Sequence, residues 1–245
     1  MTDLLNVTGL NKSFGTKSAV SSTSLAVEPG TIVALLGANG AGKSTTIKIL
    51  AGLDEADSGR ITLTGRDVSE DAFARRVSTS YLPEQVALYD ELSGRANLRH
   101  LLDIATQKVW RPDELEAPLS ASGLAREAWD KPVGSYSKGM RQKVGLALAL
   151  AREARLLLLD EPTSGLDPYA AAELGRALTE FTGAGGGVLM ATHDVYRAAE
   201  IATTILIMAK GRVITAIDPR SASPRSIEAQ FFDEVGGALQ SEEAC

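Results

Sequence analysis

The stretch Ile32-Val33-Ala34-Leu35-Leu36-Gly37-Ala38-Asn39-Gly40-Ala41-Gly42-Lys43-Ser44-Thr45-Thr46-Ile47-Lys48-Ile49-Leu50-Ala51-Gly52 joins an apolar run to a glycine-rich turn and then to a helical segment. Five apolar residues ending at a glycine read as a strand buried on both faces. Lys43–Ala51 reads as a helix, stopped by Gly52. Between them, Gly37–Thr45 matches G-x-x-x-x-G-K-[ST]. Glycines let such a turn close tightly and aim its N–H groups at phosphate oxygens, and the positive end of the following helix points the same way. Asn39, Gly40, Ala41, Gly42, Lys43, Ser44 and Thr45 are therefore candidate phosphate-binding residues. Lys43 can reach β- and γ-phosphates, and the Ser44 hydroxyl can ligate Mg²⁺. A chance match in a chain this long is about one in a hundred, and the position between buried strand and helix reduces it further.

Working outward, Leu4–Thr8, Ser24–Val27 and Arg60–Thr64 read as strands, as do the buried runs Leu156–Leu159, Val188–Thr192 and Thr204–Met208. Strands alternating with helices imply an α/β fold whose mostly parallel sheet is covered on both faces. From about residue 90 to 155 the pattern turns helical, with Met140, Val144, Ala147, Leu148 and Ala151 on one stripe, so this stretch reads as an inserted helical lobe. Near the end, Ser226 is placed to cap a short helix carrying Ile227, Phe231, Phe232 and Val235 at helical spacing, and 236–245 is expected to fray.

The totals narrow the function classes. Of 245 residues 44% are apolar and 23% charged, the mix of an ordinary globular protein. A net charge of −6 gives no support to a nucleic-acid partner, which calls for a basic face. The single cysteine, Cys245, allows no intrachain disulfide, which fits a reducing compartment. The opening MTDLLNVTGLNKSFG has no basic segment followed by an apolar run, so no signal peptide is expected, and no apolar run approaches the twenty residues of a membrane span.

Leu156–Leu159 is followed by Asp160-Glu161, two acids at the end of a buried strand. In parallel sheets ligands gather beyond the carboxyl ends of strands, where the phosphate loop also lies. Asp160 is therefore expected to hold Mg²⁺ through its water shell, and Glu161 to orient or deprotonate an attacking water, a role worth about 10²–10⁴ in rate.

These pieces, in this order, closely resemble the nucleotide-binding subunit of an ATP-binding-cassette transporter, over about residues 1–215. Phe14, 29 residues before Lys43, resembles the aromatic that stacks on adenine, with Val20 flanking the same ring. Tyr136-Ser137-Lys138-Gly139-Met140 occupies the place of the family signature L-S-G-G-Q in degenerate form, with Ser137 and Gly139 retained at the start of a helix. Lys138 either adds charge toward a phosphate or points to solvent. Ser164-Gly165-Leu166-Asp167 resembles the loop that joins two subunits, and His193 the switch histidine that meets the γ-phosphate. In Tyr81–Tyr89, alignment through Leu88-Tyr89 puts Glu84, rather than Gln85, in the slot of a Mg²⁺-sensing glutamine, with Gln85 kept as the alternative. The Tyr81–Glu84 run, the signature and the tail phenylalanines look like the bacterial branch of antibiotic and sodium exporters.

The resemblance implies a P-loop NTPase with a RecA-like sheet, an N-terminal antiparallel β subdomain and the helical subdomain inserted at about 90–155. Residues 1–218 then form one ATPase domain, and 219–245 a C-terminal helix and tail. The catalytic set is Glu161, His193 and Lys43, acting on ATP with Mg²⁺ held near Ser44, Asp160 and Glu84 or Gln85. In this family the signature faces the phosphate loop of a second subunit, so two chains sandwich two ATP molecules. The expected partners are that second nucleotide-binding domain and a separate transmembrane permease, received near Glu84–Asn97, at the cytoplasmic face of the inner membrane, with no nucleic acid. The competing reading is a soluble cassette ATPase of iron–sulfur cluster assembly.

Overall fold

The computed structural model describes residues 3–240. The N-terminal part is an antiparallel sheet of β1 (Leu5–Phe14), β2 (Lys17–Val27), β4 (Ser58–Leu63) and β5 (Arg66–Asp67), in the order β2-β1-β4-β5. A second sheet has the order β10-β9-β3-β8-β7-β6, built from β3 (Ile32–Leu36), β6 (Thr79–Leu82), β7 (Leu156–Asp160), β8 (Gly187–Thr192), β9 (Thr204–Ala209) and β10 (Arg212–Ile217). The pairs β9-β3, β3-β8, β8-β7 and β7-β6 are parallel, and only β10 turns back antiparallel on β9.

The buried apolar runs explain this placement. Every residue of β3, β7 and β8 is buried, as strands covered on both faces must be. One face of the parallel sheet packs on the N-terminal sheet and on α1 (Lys43–Leu50), with Val33, Leu35, Leu158 and Leu189 meeting Leu5, Leu10, Ile47 and Leu50. The opposite face carries α6 (Pro168–Gly183), α7 (Val195–Ile201) and α8 (Pro224–Gln240).

Short α2 (Ala72–Ser78) precedes β6. The inserted lobe follows as α3 (Gly94–Thr106), α4 (Glu116–Ala121) and α5 (Lys138–Ala151), around a core of Leu98, Leu102, Leu119, Trp129 and Val133. The expected stripe on α5 faces this core: Val144, Ala147 and Ala151 are buried in it and Met140 and Leu148 pack beside it. The other side of the same helix contributes Leu146 and Ala149 to the core beneath the parallel sheet. Helix α5 is thus the wedge between lobe and body.

Three expectations about the tail need correcting. Ser223, not Ser226, caps α8: its Oγ accepts the Ser226 N–H at 3.2 Å, and Pro224 stands at the first helical position, where its missing N–H costs nothing. Phe232 is 64% exposed, while Ile227 and Phe231 are buried and Val235 packs beside them. The helix continues to Gln240, so fraying does not begin at Gly236, and 241–245 with Cys245 lie outside the described residues.

Parallel register is what assembles the site. Leu36 pairs with Thr192, Leu82 with Leu159, and Asp160 with Ala191, so β3, β6, β7 and β8 end nearly level. The segments leaving those ends carry the phosphate loop, Glu84, Glu161 and His193.

Candidate active site

The phosphate loop leaves β3 at Gly37 and enters α1 at Lys43. At Gly42 φ is 103°, and a Cβ there would collide with the Ala19 carbonyl oxygen, so only glycine serves. Lys43 is 5% exposed, and its Nζ donates to the carbonyl oxygens of Gly37 at 2.7 Å and Ala38 at 3.2 Å. The same ammonium lies 3.6 Å from Glu161 Oε1. A buried cation held among oxygens at the rim of a glycine turn is an environment that suits phosphate.

Asp160 and Glu161 are both buried. Ser44 Oγ donates to Asp160 Oδ1 at 2.8 Å, bringing the two proposed metal-side groups together. Burial pushes the Asp160 carboxyl above the usual carboxylate range, with the charges of Glu161 and Glu84 adding to the rise, against the Ser44 hydrogen bond and Lys48. The site is therefore short of positive charge beside Asp160, which a divalent cation supplies. Among the described residues no group of three or more His, Cys, Asp or Glu stands together as a metal cage.

Glu161 sits at the centre. Its φ is +47°, a left-handed conformation that costs a residue with a side chain about 1–2 kcal/mol, and its N–H donates to the Ala191 carbonyl at 2.9 Å. This backbone turn places one carboxylate oxygen near Lys43 and the other 2.9 Å from His193 Nδ1. A carboxylate oxygen accepts, so in this contact the imidazole donates from Nδ1, and Nε2 donates to a phosphate oxygen only when it carries a proton as well.

The cleft over the loop is lined by Phe14, Lys17, Ala19, Asn39–Thr45, Glu84 and Glu161. Phe14 is 53% exposed there, with the Lys12 ammonium over its ring at 5.1 Å from the centroid. Val20 is not on this wall: it is 1% exposed and belongs to the core beneath. Strand side chains alternate, so Lys17 and Ala19 share the cleft face of β2 and Val20 takes the opposite one. That alternation was the signal by which Lys17 and Ala19 could have been found. Of the two neighbours on the loop after β6, Glu84 lines the cleft, whereas Gln85 lines an adjoining groove with Lys138, Arg141 and Gln142.

Ser137 and Gly139 do not join this cleft. Ser137 caps α5, accepting the Met140 N–H at 3.2 Å, and Gly139 packs against Leu166 and Ala170. Tyr136, in place of leucine, is a core residue whose hydroxyl donates to the Ala128 carbonyl at 2.6 Å. Lys138 is exposed, as the solvent-facing expectation has it. Its Nζ donates to Ser164 Oγ at 3.3 Å and its stem lies along Gly165. Asp167 ends the same loop by capping α6, accepting the Ala170 N–H at 2.9 Å.

Comparison with known proteins agrees with this geometry. The family model described as ABC transporter matches residues 20–164. The chain is 38% identical to the daunorubicin resistance ATP-binding protein DrrA3 of Streptomyces coeruleorubidus, over 86% of this chain and 66% of that protein. It is 34% identical to the lipopolysaccharide export system ATP-binding protein LptB of Acidithiobacillus ferridurans, over 90% and 92%. It is also 36% identical to the sulfate/thiosulfate import ATP-binding protein CysA of Synechococcus elongatus, over 85% and 61%, so it spans a little under two thirds of two of these relatives. Among solved structures, one described as the ATP binding subunit of an ABC transporter superposes with a TM-score of 0.79 at 30% identity, covering 93% of this chain and 99% of the other.

Proposed function

The chain belongs to the ABC transporter family as an ATP-hydrolysing subunit, and on that premise we propose that it energises a separate membrane permease in the export direction, as one of two such chains closing on MgATP. The observation that carries the catalytic part is Glu161, held between Lys43 and His193 beside the phosphate loop. From there Glu161 orients or deprotonates the attacking water. Lys43 and the loop amides neutralise the phosphates, and His193 meets the terminal one. Ser44 would hold Mg²⁺ directly and Asp160 and Glu84 through water, and the ion would supply neutralisation of phosphate charge. Phe14 supplies an aromatic face for the base, with Lys17 and Ala19 beside it.

The pairing is supported by what one chain lacks. Ser137 offers a hydroxyl and Gly139 a bare backbone at a helix start, yet both stand away from their own phosphate loop. A second copy brings them to it. No described helix is long and apolar enough to cross a membrane. In this reading the permease is a separate chain and this one is held peripherally at the cytoplasmic face. Export is supported by the Tyr81–Glu84 run, the Tyr136–Met140 signature and the likeness to an export-system protein, against a comparable likeness to an import protein.

Glu161→Gln tests the core of this reading. ATP hydrolysis is expected to fall about 10²–10⁴-fold while MgATP binding persists. Phosphate release at the wild-type rate would sink the assignment. Affinity purification from detergent-extracted membranes tests the partner: recovery of an integral membrane protein supports the motor. Recovery only from the soluble fraction, with an iron–sulfur scaffold, would favour the assembly-factor reading instead.

A further inference from the structure

Two positions where this chain departs from the family pattern it resembles meet at one hydroxyl. Glu84 stands where a neutral glutamine is usual, and Lys138 where a glycine is usual. They are 54 residues apart in sequence, on the loop after β6 and at the start of α5. Ser164, on the loop between β7 and α6, accepts from Lys138 Nζ at 3.3 Å and donates to Glu84 Oε1 at 3.3 Å. The lysine stem is laid along Gly165, at 3.1 Å from where a Cβ would stand, so a side chain there would push the ammonium away. Lys138 and Glu84 also share the walls of the groove beside the cleft.

We infer that Lys138 is a positioning residue for Glu84 of its own chain, its charge offsetting the acid beside the metal side of the nucleotide site while Ser164 holds the two in register. The inference rests on the proposed nucleotide site and assigns Lys138 a role within one chain rather than toward a partner's phosphate. An uncompensated carboxylate at Glu84 would join Asp160 and Glu161 in repelling the phosphates, and the nearby ammonium lowers that repulsion. Both side chains are exposed, so water screens the effect and its size is modest.

The test is a double-mutant cycle on nucleotide binding by the single chain, at concentrations below pairing, with ATP in chelator and then with Mg²⁺ and ATP. Lys138→Gln should weaken metal-free ATP binding by up to about twofold in the native background, the low end for exposed charges bridged by a hydroxyl rather than in direct contact, and less when salt is raised. In a Glu84→Gln background the same substitution should do nothing, and Ser164→Ala should shrink the coupling. An equal effect of Lys138→Gln in both backgrounds would overturn the inference. So would an effect seen only at concentrations where chains pair, since Lys138 would then act on the partner's nucleotide. Lack of ATP binding by the native chain, or binding indifferent to Lys43→Ala, would instead defeat the nucleotide site itself.

Discussion

At the scale of single residues, the site is arranged around charges that the fold holds at a cost. Glu161 accepts a left-handed backbone to face Lys43 and His193. Asp160 is buried and its carboxyl is raised chiefly by that burial. A raised carboxyl favours folding at low pH, and that contribution is lost as pH rises through its folded value. Ionising the buried Asp160 therefore weighs against the free protein. Asp160→Asn should raise the melting temperature of the nucleotide-free chain, by about 2–4 °C for each kcal/mol relieved in a domain of this size. The same variant should lose the further rise that Mg²⁺ adds in the presence of ATP. Calorimetry with and without MgATP reads both; a lower melting temperature without nucleotide would contradict the account. Which carboxylate binds beside the loop was legible from an apolar strand ending in Asp-Glu. The positive φ of Glu161 was not, because it follows from the hydrogen bond to Ala191 on a strand 30 residues away.

At the scale of elements, buried strands and capped helices carried the clearest sequence signals. Ile32–Leu36 has the same limits in sequence and structure, because a run buried on both faces is apolar throughout. Helices α6 and α7 were missed, although Asp167 and Asp194 cap them and each is followed by an apolar face. Strand β6 was missed for another reason: Thr79 and Ser80 are buried polar residues, and Thr79 satisfies its hydroxyl on the Arg75 carbonyl at 2.8 Å. Helix α8 shows how a correct period still leaves its face unsettled. Ile227 is fully buried and Phe232 mostly exposed. Ile227→Ala should cost about 2–5 kcal/mol in urea unfolding, whereas Phe232→Ala should stay within about 0.5 kcal/mol. Equal effects would mean that α8 docks through a different face.

At the scale of the molecule, the proposed pairing makes the phosphate loop and Ser137 of one chain two half-sites, each completed by a second copy. The phosphate loop, Asp160, Glu161 and His193 gather at level strand ends, while Ser137 caps a helix in the inserted lobe. Helix α5 joins these regions by packing on both cores, so movement of the lobe is movement of Ser137. Pairing predicts that hydrolysis per chain rises with protein concentration. It also predicts that a Ser137→Ala chain mixed with a Lys43→Ala chain recovers activity neither has alone, because each mixed pair retains one composite site. Activity that is independent of concentration, with no recovery on mixing, would contradict the paired arrangement.

The chain's own order of residues determined the local chemistry: a glycine turn between buried strand and helix, two acids after an apolar run, and a serine at a helix start. Those signals are local because backbone geometry, capping and burial act over a few residues. Tertiary structure alone decided which of these groups share a cleft. Parallel register brought Glu84 rather than Gln85 to the loop, and strand alternation turned Val20 inward and Ala19 outward. The folding of one loop then set Lys138 on Ser164. Each depends on contacts between residues far apart in the chain, whose distances the order of residues does not carry.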